Sequence, residues 1–595
     1  MIKEELKELY SFLQNPAFLD LEAEKAMQIA KRFVKNKKKI KKNYKKIRLA
    51  LLSNFNLSFT IESLEYCLFQ RGINAEIFIA DFGTMFTELI NSNSWIYKFK
   101  PDYILIWPTY RDLQELSKGY KAEALFWNSL WKNAKINNIK IFQILFDFPP
   151  FSILRNSLNS NLSIMQHIKN TNSELMQHYS NECEFLNIEN LIMSLGTKNW
   201  HDFRMFHLSK QPYSFEGIPE ISQYLASTLA GSLGNAKKVL ILDLDNTLWG
   251  GEVGDLGKDG IVLGNETSEG EGYISFQSYV KTLNQSGIIL AICSKNEKNV
   301  VKDVFINHPD MQIKFDDISC FVANFQDKAT NIKKIKQFLN VGYDSMVFID
   351  DSEVECQWVK EQLPEVTTIR LKGDPSDYAM QIDRLGLFIK NKITTEDLKR
   401  IKSYKALKEI EKVKKSSRKL EDFLSGLHPK IIIEEVCPYA LDRVVQLLYK
   451  TNQFKLNSTV YSKEEIIQNK SNVLALRFVD RLNDYGIVVV IIFDFVGKKL
   501  KIINWVMSCR VFSRNIEYAV YRILKRIAIK SSCNKIFLEF VPSSKNTPAA
   551  KAIKKIGFKR VKKSNIFQNN LNCKVKPDNI VIKNTEMFGR YNGKK

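Results

Sequence analysis

Short apolar runs recur along most of this chain, each breaking off abruptly on polar side chains, and their rhythm sets the fold class. Between 47 and 225 the runs IRLALLSNF, AEIFIADF, YILIWP and KIFQILFDF alternate with helical stretches. A second series follows: KVLILDLDNT (238–247), GIILAICSKN (287–296), SCFVANF (319–325), DSMVFIDDS (344–352) and VTTIRLK (366–372). Near-continuous apolar strands separated by helices read as parallel α/β sheets with both faces covered. From 429 onward the pattern changes to α+β. It comprises IIIEEV (431–436), an antiparallel-looking pair IVVVIIFDF and LKIINWVMS (487–508), a helix near 515–529, KIFLEFV (535–541) and a short helix at 547–556.

At 595 residues the chain is several times the roughly 150-residue size of an ordinary domain, so more than one core is required. The expected organisation is a helical basic leader at 1–46, an α/β domain at 47–225, a second α/β domain at 236–390, a helical linker at 391–428 and an α+β domain at 429–590. Leu6, Leu9, Tyr10 and Leu13 recur at helical spacing in the leader and stop near Asn15-Pro16. The densest basic run, KRFVKNKKKIKKNYKKIR at 31–48, reads as a solvated helix or connector.

Charge limits the partners. Lys and Arg total 88 against 65 Asp and Glu, a net +23 that favours acidic partners, although the lysines are spread over nearly every segment as a general compositional bias would spread them. No RRM, KH or zinc-finger signature accompanies the charge, so a nucleic-acid partner is not expected. The start MIKEELKELYSFLQ lacks an apolar signal core, and no apolar run reaches the ~18 residues of a membrane span. Nine cysteines without a CxxC pair and six histidines without an HxxxH ladder give neither a disulfide framework nor a structural zinc site. A reducing cytoplasm is the expected compartment, with no membrane partner.

Chemistry concentrates at the ends of the second series. Asp243 and Asp245 alternate in DLD, which points both side chains one way at the carboxyl edge of a parallel sheet, where such sheets bind ligands. Two adjacent carboxylates repel unless a cation or a shared proton separates them. Ser294, Lys328 and the pair Asp350 and Asp351 follow in order at later strand ends. Hard oxygen ligands suit magnesium, so Asp243, Asp245, Asp350 and Asp351 are the expected metal set. Asp243 is expected as nucleophile toward phosphorus and Asp245 as general acid. Ser294 is a donor to a phosphoryl oxygen, and Lys328 a counter-charge for the transition state.

The order DxDxT, Ser, Lys, DD resembles the haloacid dehalogenase (HAD) superfamily. DLDNTLWGG at 243–251, LAICSKNE at 290–297, NFQDKATNI at 324–332 and VFIDDSEVE at 347–355 are similar to its FkbH-type subgroup. TTEDLKRIKSY, YKTNQFKLNS at 449–458 and WVMSCRVFSRNIE at 505–517 resemble the linker and GNAT-like domain of that subgroup, and LLSNFNLSFTIESL at 51–64 resembles the SGNH-like domain of its longer members. The implied architecture is a flavodoxin- or SGNH-like unit, a central HAD Rossmann-like sheet and a C-terminal GNAT-like domain. The implied activity is transfer of a glyceryl group from 1,3-bisphosphoglycerate, or a similar acyl phosphate, to the phosphopantetheine arm of an acyl carrier protein. Phosphate is lost in the process, and the setting is polyketide or related metabolism. Thr247, Lys295 and Asn296 are the implied substrate-binding residues.

Cys293, directly before Ser294, is the candidate acyl carrier. Against that, neighbouring strand residues face opposite sides, so a regular strand that aims Ser294 at the pocket buries Cys293 in the core. The chain departs from the subgroup at Cys356, where arginine is usual, and at Ser513 and Asn515, where glycines are usual. The latter makes ordinary acetyl-CoA transfer less expected. Arg510, Arg514 and Glu517 then either orient the phosphopantetheine arm or are structural, and Cys509 reads as a buried strand cysteine. In the first unit Ser53, Asp202 and His207 follow a Ser/Asp/His order without a Gly-Asp-Ser motif, so a structural or carrier-docking module is the expected role. Rival readings are a plain magnesium-dependent HAD phosphatase and a non-catalytic basic scaffold.

Overall fold

The computed structural model describes residues 17–390 apart from 41–43 and 152–162, and residues 426–590 apart from 452–453, 460, 482, 509–510, 513, 544–545, 562–563 and 572–578. The expected helix at 6–13, nearly all of the expected linker helix, and Cys509, Arg510 and Ser513 lie outside the described residues. The chain divides into two compact units. One holds 1–236, 367–369 and 380–391; the other holds 237–366, 370–379 and 392–595.

The runs of the first series form β1 (Lys45–Leu52), β2 (Ile73–Ile79), β3 (Tyr103–Ile106) and β4 (Lys140–Ile144), joined by a short strand β5 (Glu184–Leu186) that the apolar pattern does not mark. Their order is β2-β1-β3-β4-β5, with parallel pairing throughout. This is the flavodoxin-like order, in which the order of strands across the sheet reverses between β1 and β3. The last four residues of β1 and all of β3 are buried, as strands covered on both faces require. The basic run at 31–48 is shared between a helix, Ala23–Asn36, and the start of β1. Within the run that helix buries Phe33 and Asn36, so part of the run is packed rather than solvated.

The second series forms β6 (Val239–Leu242), β7 (Ile289–Ser294), β8 (Ile318–Ala323), β9 (Met346–Asp350) and β10 (Thr367–Arg370), in the order β10-β9-β6-β7-β8. Strands β9, β6, β7 and β8 pair in parallel, with Leu242 beside Ile292 on one side and Ile349 on the other. The expected parallel Rossmann-like sheet is therefore present, and β6, which carries Asp243 at its end, is its middle strand. The connecting helices include α1 (Ser268–Gln285), α2 (Lys328–Leu339) and α3 (Glu353–Gln362). Side chains of Thr267, Asp327 and Ser352 cap them by accepting backbone N–H groups of Gly270, Thr330 and Glu355. Two of these caps adjoin site residues, Asp327 just before Lys328 and Ser352 just after Asp351, so the chain passes from strand end to helix start within a few residues of the chemistry.

The C-terminal α+β part forms one eight-stranded sheet. Its strands are β11 (Lys430–Glu434), β12 (Val473–Val479), β13 (Asp484–Val496), β14 (Lys499–Met507), β15 (Lys535–Glu539), β16 (Lys559–Arg560), β17 (Ile566–Asn570) and β18 (Val581–Lys583), in the order β16-β17-β15-β14-β13-β12-β11-β18. β13 and β14 pair antiparallel, while β14 and β15 pair in parallel over Lys499–Ile502 and Lys535–Leu538 only. Helices α4 (Ile516–Lys530) and α5 (Thr547–Lys555) match the expected pair. Strands β16 to β18 are short and carry little apolar pattern, so their pairing partners define them rather than their own residues. Among the described residues, no helix is long and apolar enough to cross a membrane.

Candidate active site

The carboxyl ends of β6, β7 and β9 and the first residue of α2 bring the expected groups together. Asp243 follows β6, and its backbone N–H still bonds Ile349 O in the ladder with β9. The strand therefore ends with this carboxylate at the edge. Lys328 Nζ lies 2.5 Å from Asp243 Oδ1 and 2.9 Å from Asp350 Oδ2. All three residues are buried, so the ammonium is held between two carboxylates with little help from water. Burial pushes Asp243 up to about 7; Lys328 pulls the other way, and Asp350 adds to the rise. Burial likewise opposes the charge on Lys328, but Asp243 and Asp350 outweigh it and hold the ammonium above its ordinary value.

Asp351 completes a group of three. Ligand oxygens of Asp243, Asp350 and Asp351 all lie within 4.8 Å of one another. Burial raises Asp351 from its ordinary value, and the Asp350 charge beside it adds to that. Three carboxylates against one ammonium leave an uncompensated negative charge in a confined space, and hard oxygens in that arrangement fit a small divalent cation.

Asp245 stands outside that group, which corrects its expected place among the metal ligands. Both of its oxygens are taken. Trp249 Nε1 donates to Oδ1 at 2.9 Å, Val253 N to Oδ1 at 3.2 Å, and Asn296 Nδ2 to Oδ2 at 2.7 Å. The tight turn after the strand makes this possible. Asn246 sits at φ 52 and Gly251 at φ 85, and a hydrogen bond from Gly251 N to Asn246 Oδ1 at 2.9 Å closes the turn. The turn returns Trp249 beneath Asp245, fully buried. Trp249 is the residue whose role the sequence left open, because Trp249, Gly250 and Gly251 read equally well as a turn gating the pocket and as a turn alone.

Asn296 Nδ2 also lies 3.0 Å from Ser294 Oγ, so the two are tied together and to Asp245. Asn296 is thus a support for site residues rather than a group presented freely to substrate. Lys295 is exposed and ion-paired with Glu355 on α3. Thr247 is buried, and its hydroxyl has no hydrogen-bond partner among the described residues. Tyr273 and Tyr378 pack edge to face beside the same loop, with Tyr378 OH donating to Asn246 O at 3.3 Å. They flank Asp351, whose charge contributes to raising both phenols above their ordinary value after burial. Nothing in local sequence pattern marks them, since they come from α1 and from beyond β10.

Cys293 is corrected as an acyl carrier. Its side chain is fully buried in the apolar cluster beneath the sheet, among Ile241, Ile289, Ala329 and Phe348, and Sγ faces Lys328 O at 3.7 Å. Burial pushes the thiol far up, against the thiolate that acyl transfer needs. Strand alternation holds through β7: Ser294 lies at the polar edge and Cys293 on the opposite side. Cys356, where the subgroup usually has arginine, is also buried and packs Sγ against Asp350 O at 3.6 Å.

Among the described residues, Ser53, Asp202 and His207 do not form a catalytic set. Ser53 Oγ donates to Phe55 O at 2.7 Å, Asp202 caps a helix by accepting Met205 N, and His207 is exposed. His201 packs against Tyr110 and Phe203 and lies 3.1 Å from Phe148 O. In the C-terminal sheet Arg514 is buried, ion-paired with Asp480 and donating to Tyr485 OH at 2.6 Å, which makes it structural. Beyond the short β14–β15 pairing, the segment 454–457 lies between the two strands. Met507 N donates to Phe454 O at 3.1 Å and Val541 N to Leu456 O at 3.0 Å, so those backbone groups are not free for an extended ligand.

Residues 238–399 match the NLI interacting factor-like phosphatase family. Among solved structures, the N-terminal part of the protein BF1531 from Bacteroides fragilis, described as containing a phosphatase domain complexed with Mg, is 30% identical. Its match covers 59% of this chain and 95% of that one, with a TM-score of 0.54. Two N-acetyltransferases align with about a quarter of the chain. The ribosomal-protein-S18-alanine enzyme from Escherichia coli is 12% identical over 25% of this chain and 97% of its own, with a TM-score of 0.19. The PaiA enzyme from Thermoplasma acidophilum, in complex with coenzyme A, is 13% identical over 24% and 99%, with a TM-score of 0.20. No curated protein sequence matches the chain.

Proposed function

Because the chain belongs to the HAD-type phosphatases, the family of the magnesium-bound BF1531 phosphatase domain, we propose that it dephosphorylates a phosphorylated three-carbon acid and passes the acyl group to an acyl carrier protein. The observation that carries the phosphatase half is Lys328 held between Asp243 and Asp350, with Asp351 beside them. The acyl-transfer half rests on the likeness of DLDNTLWGG and CSKN to the FkbH-type subgroup.

Asp243, Asp350 and Asp351 would hold magnesium, which when bound polarises the phosphoryl oxygens and offsets their charge. Asp243 attacks phosphorus and becomes an aspartyl-phosphate, which water then hydrolyses. Lys328 favours the ionised form of Asp243 against the effect of burial and faces the charge that grows on the phosphoryl group. Asp245, oriented by Trp249, Val253 and Asn296, is the group assigned to protonate the leaving oxygen. With 1,3-bisphosphoglycerate, water takes the ester phosphate while a thiol sulfur takes the acyl carbon. The C–S bond forms as the anhydride C–O bond breaks, the thiol proton goes to solvent, and two phosphates leave per glyceryl thioester.

Incubation with magnesium, 1,3-bisphosphoglycerate and a phosphopantetheinylated carrier protein tests this by phosphate release and intact-carrier mass. A carrier heavier by one glyceryl group is the expected result. The burial of Cys293 favours one second reading, a plain magnesium-dependent phosphatase, because the chain presents no thiol of its own at that strand end. Equal phosphate release with and without carrier, and no mass gain, would select it.

A further inference from the structure

A thiol acceptor for this site has to come from outside, since Cys293 is sealed in the core. The rim of the carboxyl edge carries an apolar surface that the chain leaves in water. Phe325, three residues before Lys328, is 79% exposed. Val354, three residues after Asp351, is 76% exposed, and Trp358, one turn further along α3, is 42% exposed. Val354 and Trp358 share a helix face at i and i+4 spacing. Trp358 Nε1 donates to Asp327 Oδ1 at 3.0 Å, which ties that face to the loop bearing Phe325.

Large apolar side chains left exposed on segments next to site residues mark places where something docks. The charge around them selects the partner's sign. Asp327 caps α2, Glu353 is paired with Arg370, and Glu355 is paired with Lys295. Lys333 and Lys334 are exposed on the first turns of α2, and Lys334 donates to the Gln326 amide rather than to a carboxylate. The chain as a whole carries +23. An acidic surface with an apolar centre is the complement.

We propose that Phe325, Val354 and Trp358, flanked by Lys333 and Lys334, form the docking surface for an acidic carrier protein, which delivers its phosphopantetheine thiol directly to the acyl phosphate at the pocket mouth. This deepens the proposed function and rests on it for the identity of the partner. No enzyme thioester intervenes: the carrier's sulfur bonds the acyl carbon, the phosphate leaves with the anhydride oxygen, and the thiol proton passes to solvent.

The test uses the full-length protein, a fluorescently labelled phosphopantetheinylated acyl carrier protein as probe, and free pantetheine as a small acceptor. Phe325→Glu and Val354→Glu place a negative charge on residues that lie outside the catalytic cluster. The expected result is a rise of about tenfold or more in the carrier's Kd by anisotropy and in its KM for acylation, with transfer to pantetheine and phosphate release unchanged. Wild-type binding should also weaken as salt is raised. Carrier binding that is absent, or equal in wild type and both variants, overturns the docking surface. The acyl-transfer reading fails separately, if wild type acylates neither carrier nor pantetheine while still releasing phosphate.

Discussion

Lys328 Nζ lies 2.5 Å from Asp243 Oδ1, and the same ammonium reaches Asp350 at 2.9 Å. One cation thus offsets the charge of two buried carboxylates together. Lys328→Met should leave two buried carboxylates facing each other, at a stability loss of about 3–5 kcal/mol. Activity should fall about 10²–10³-fold. Thermal unfolding in EDTA and in magnesium checks the first part: the variant should recover more stability on adding magnesium than the wild type does, because a cation replaces the missing charge.

Asp245 owes its orientation to Trp249 and Asn296, at 2.9 and 2.7 Å. Trp249→Phe keeps a buried ring and removes only the N–H donor. Asn296→Ala removes the link to both Asp245 and Ser294. Each should lower kcat about 10–100-fold, as outlying hydrogen-bond supports of catalytic groups do, with KM changing less. Steady-state phosphate release measures the split.

Cys293→Ala should keep activity within a few-fold of wild type and destabilise by about 1 kcal/mol, the usual scale for a small buried truncation. Intact-protein mass spectrometry after reaction with 1,3-bisphosphoglycerate should show no glyceryl adduct at this residue in wild type. An adduct lost in the variant would restore the thioester route.

Asp147 follows β4 in the first sheet, buried, accepting Tyr110 N at 2.8 Å and Trp200 Nε1 at 3.1 Å. Burial pushes its carboxyl from 3.8 up to about 6. A raised carboxyl makes the folded state bind a proton more tightly than the unfolded chain does. Its contribution is therefore fully present below about pH 4 and lost as pH rises through about 6. The change amounts to roughly 3 kcal/mol for a shift of about two units. Hydrogen exchange across residues 44–236 from pH 4 to 7 should show protection falling with pH, and Asp147→Asn should flatten that dependence whatever it costs in hydrogen bonding.

The reach of the sequence differed from element to element. The five runs of the second series became β6 to β10 because buried parallel strands must be apolar along their whole length, a demand written in consecutive residues. Strands β16 to β18 escaped notice because strands of two to five residues at or next to a sheet's edge draw their stability from a neighbour's backbone. Strand alternation already held the answer for Cys293, and the resemblance argued the other way.

What residue order alone determined here is which groups stand at the sheet's carboxyl edge: Asp243, Ser294, Asp350 and Asp351 are each placed by the point where an apolar run stops, and Lys328 by the start of the helix that follows β8. What only the tertiary structure decided is how those groups are divided. Asp351 joins the cluster with Asp243 and Asp350, Asp245 is drawn out of it by Trp249 and Asn296, and Cys293 is sealed beneath the sheet. The physical reason is that strand periodicity is local and can be read from neighbours in sequence. Hydrogen-bond partners and burial depend on which distant segments share a few ångströms of space.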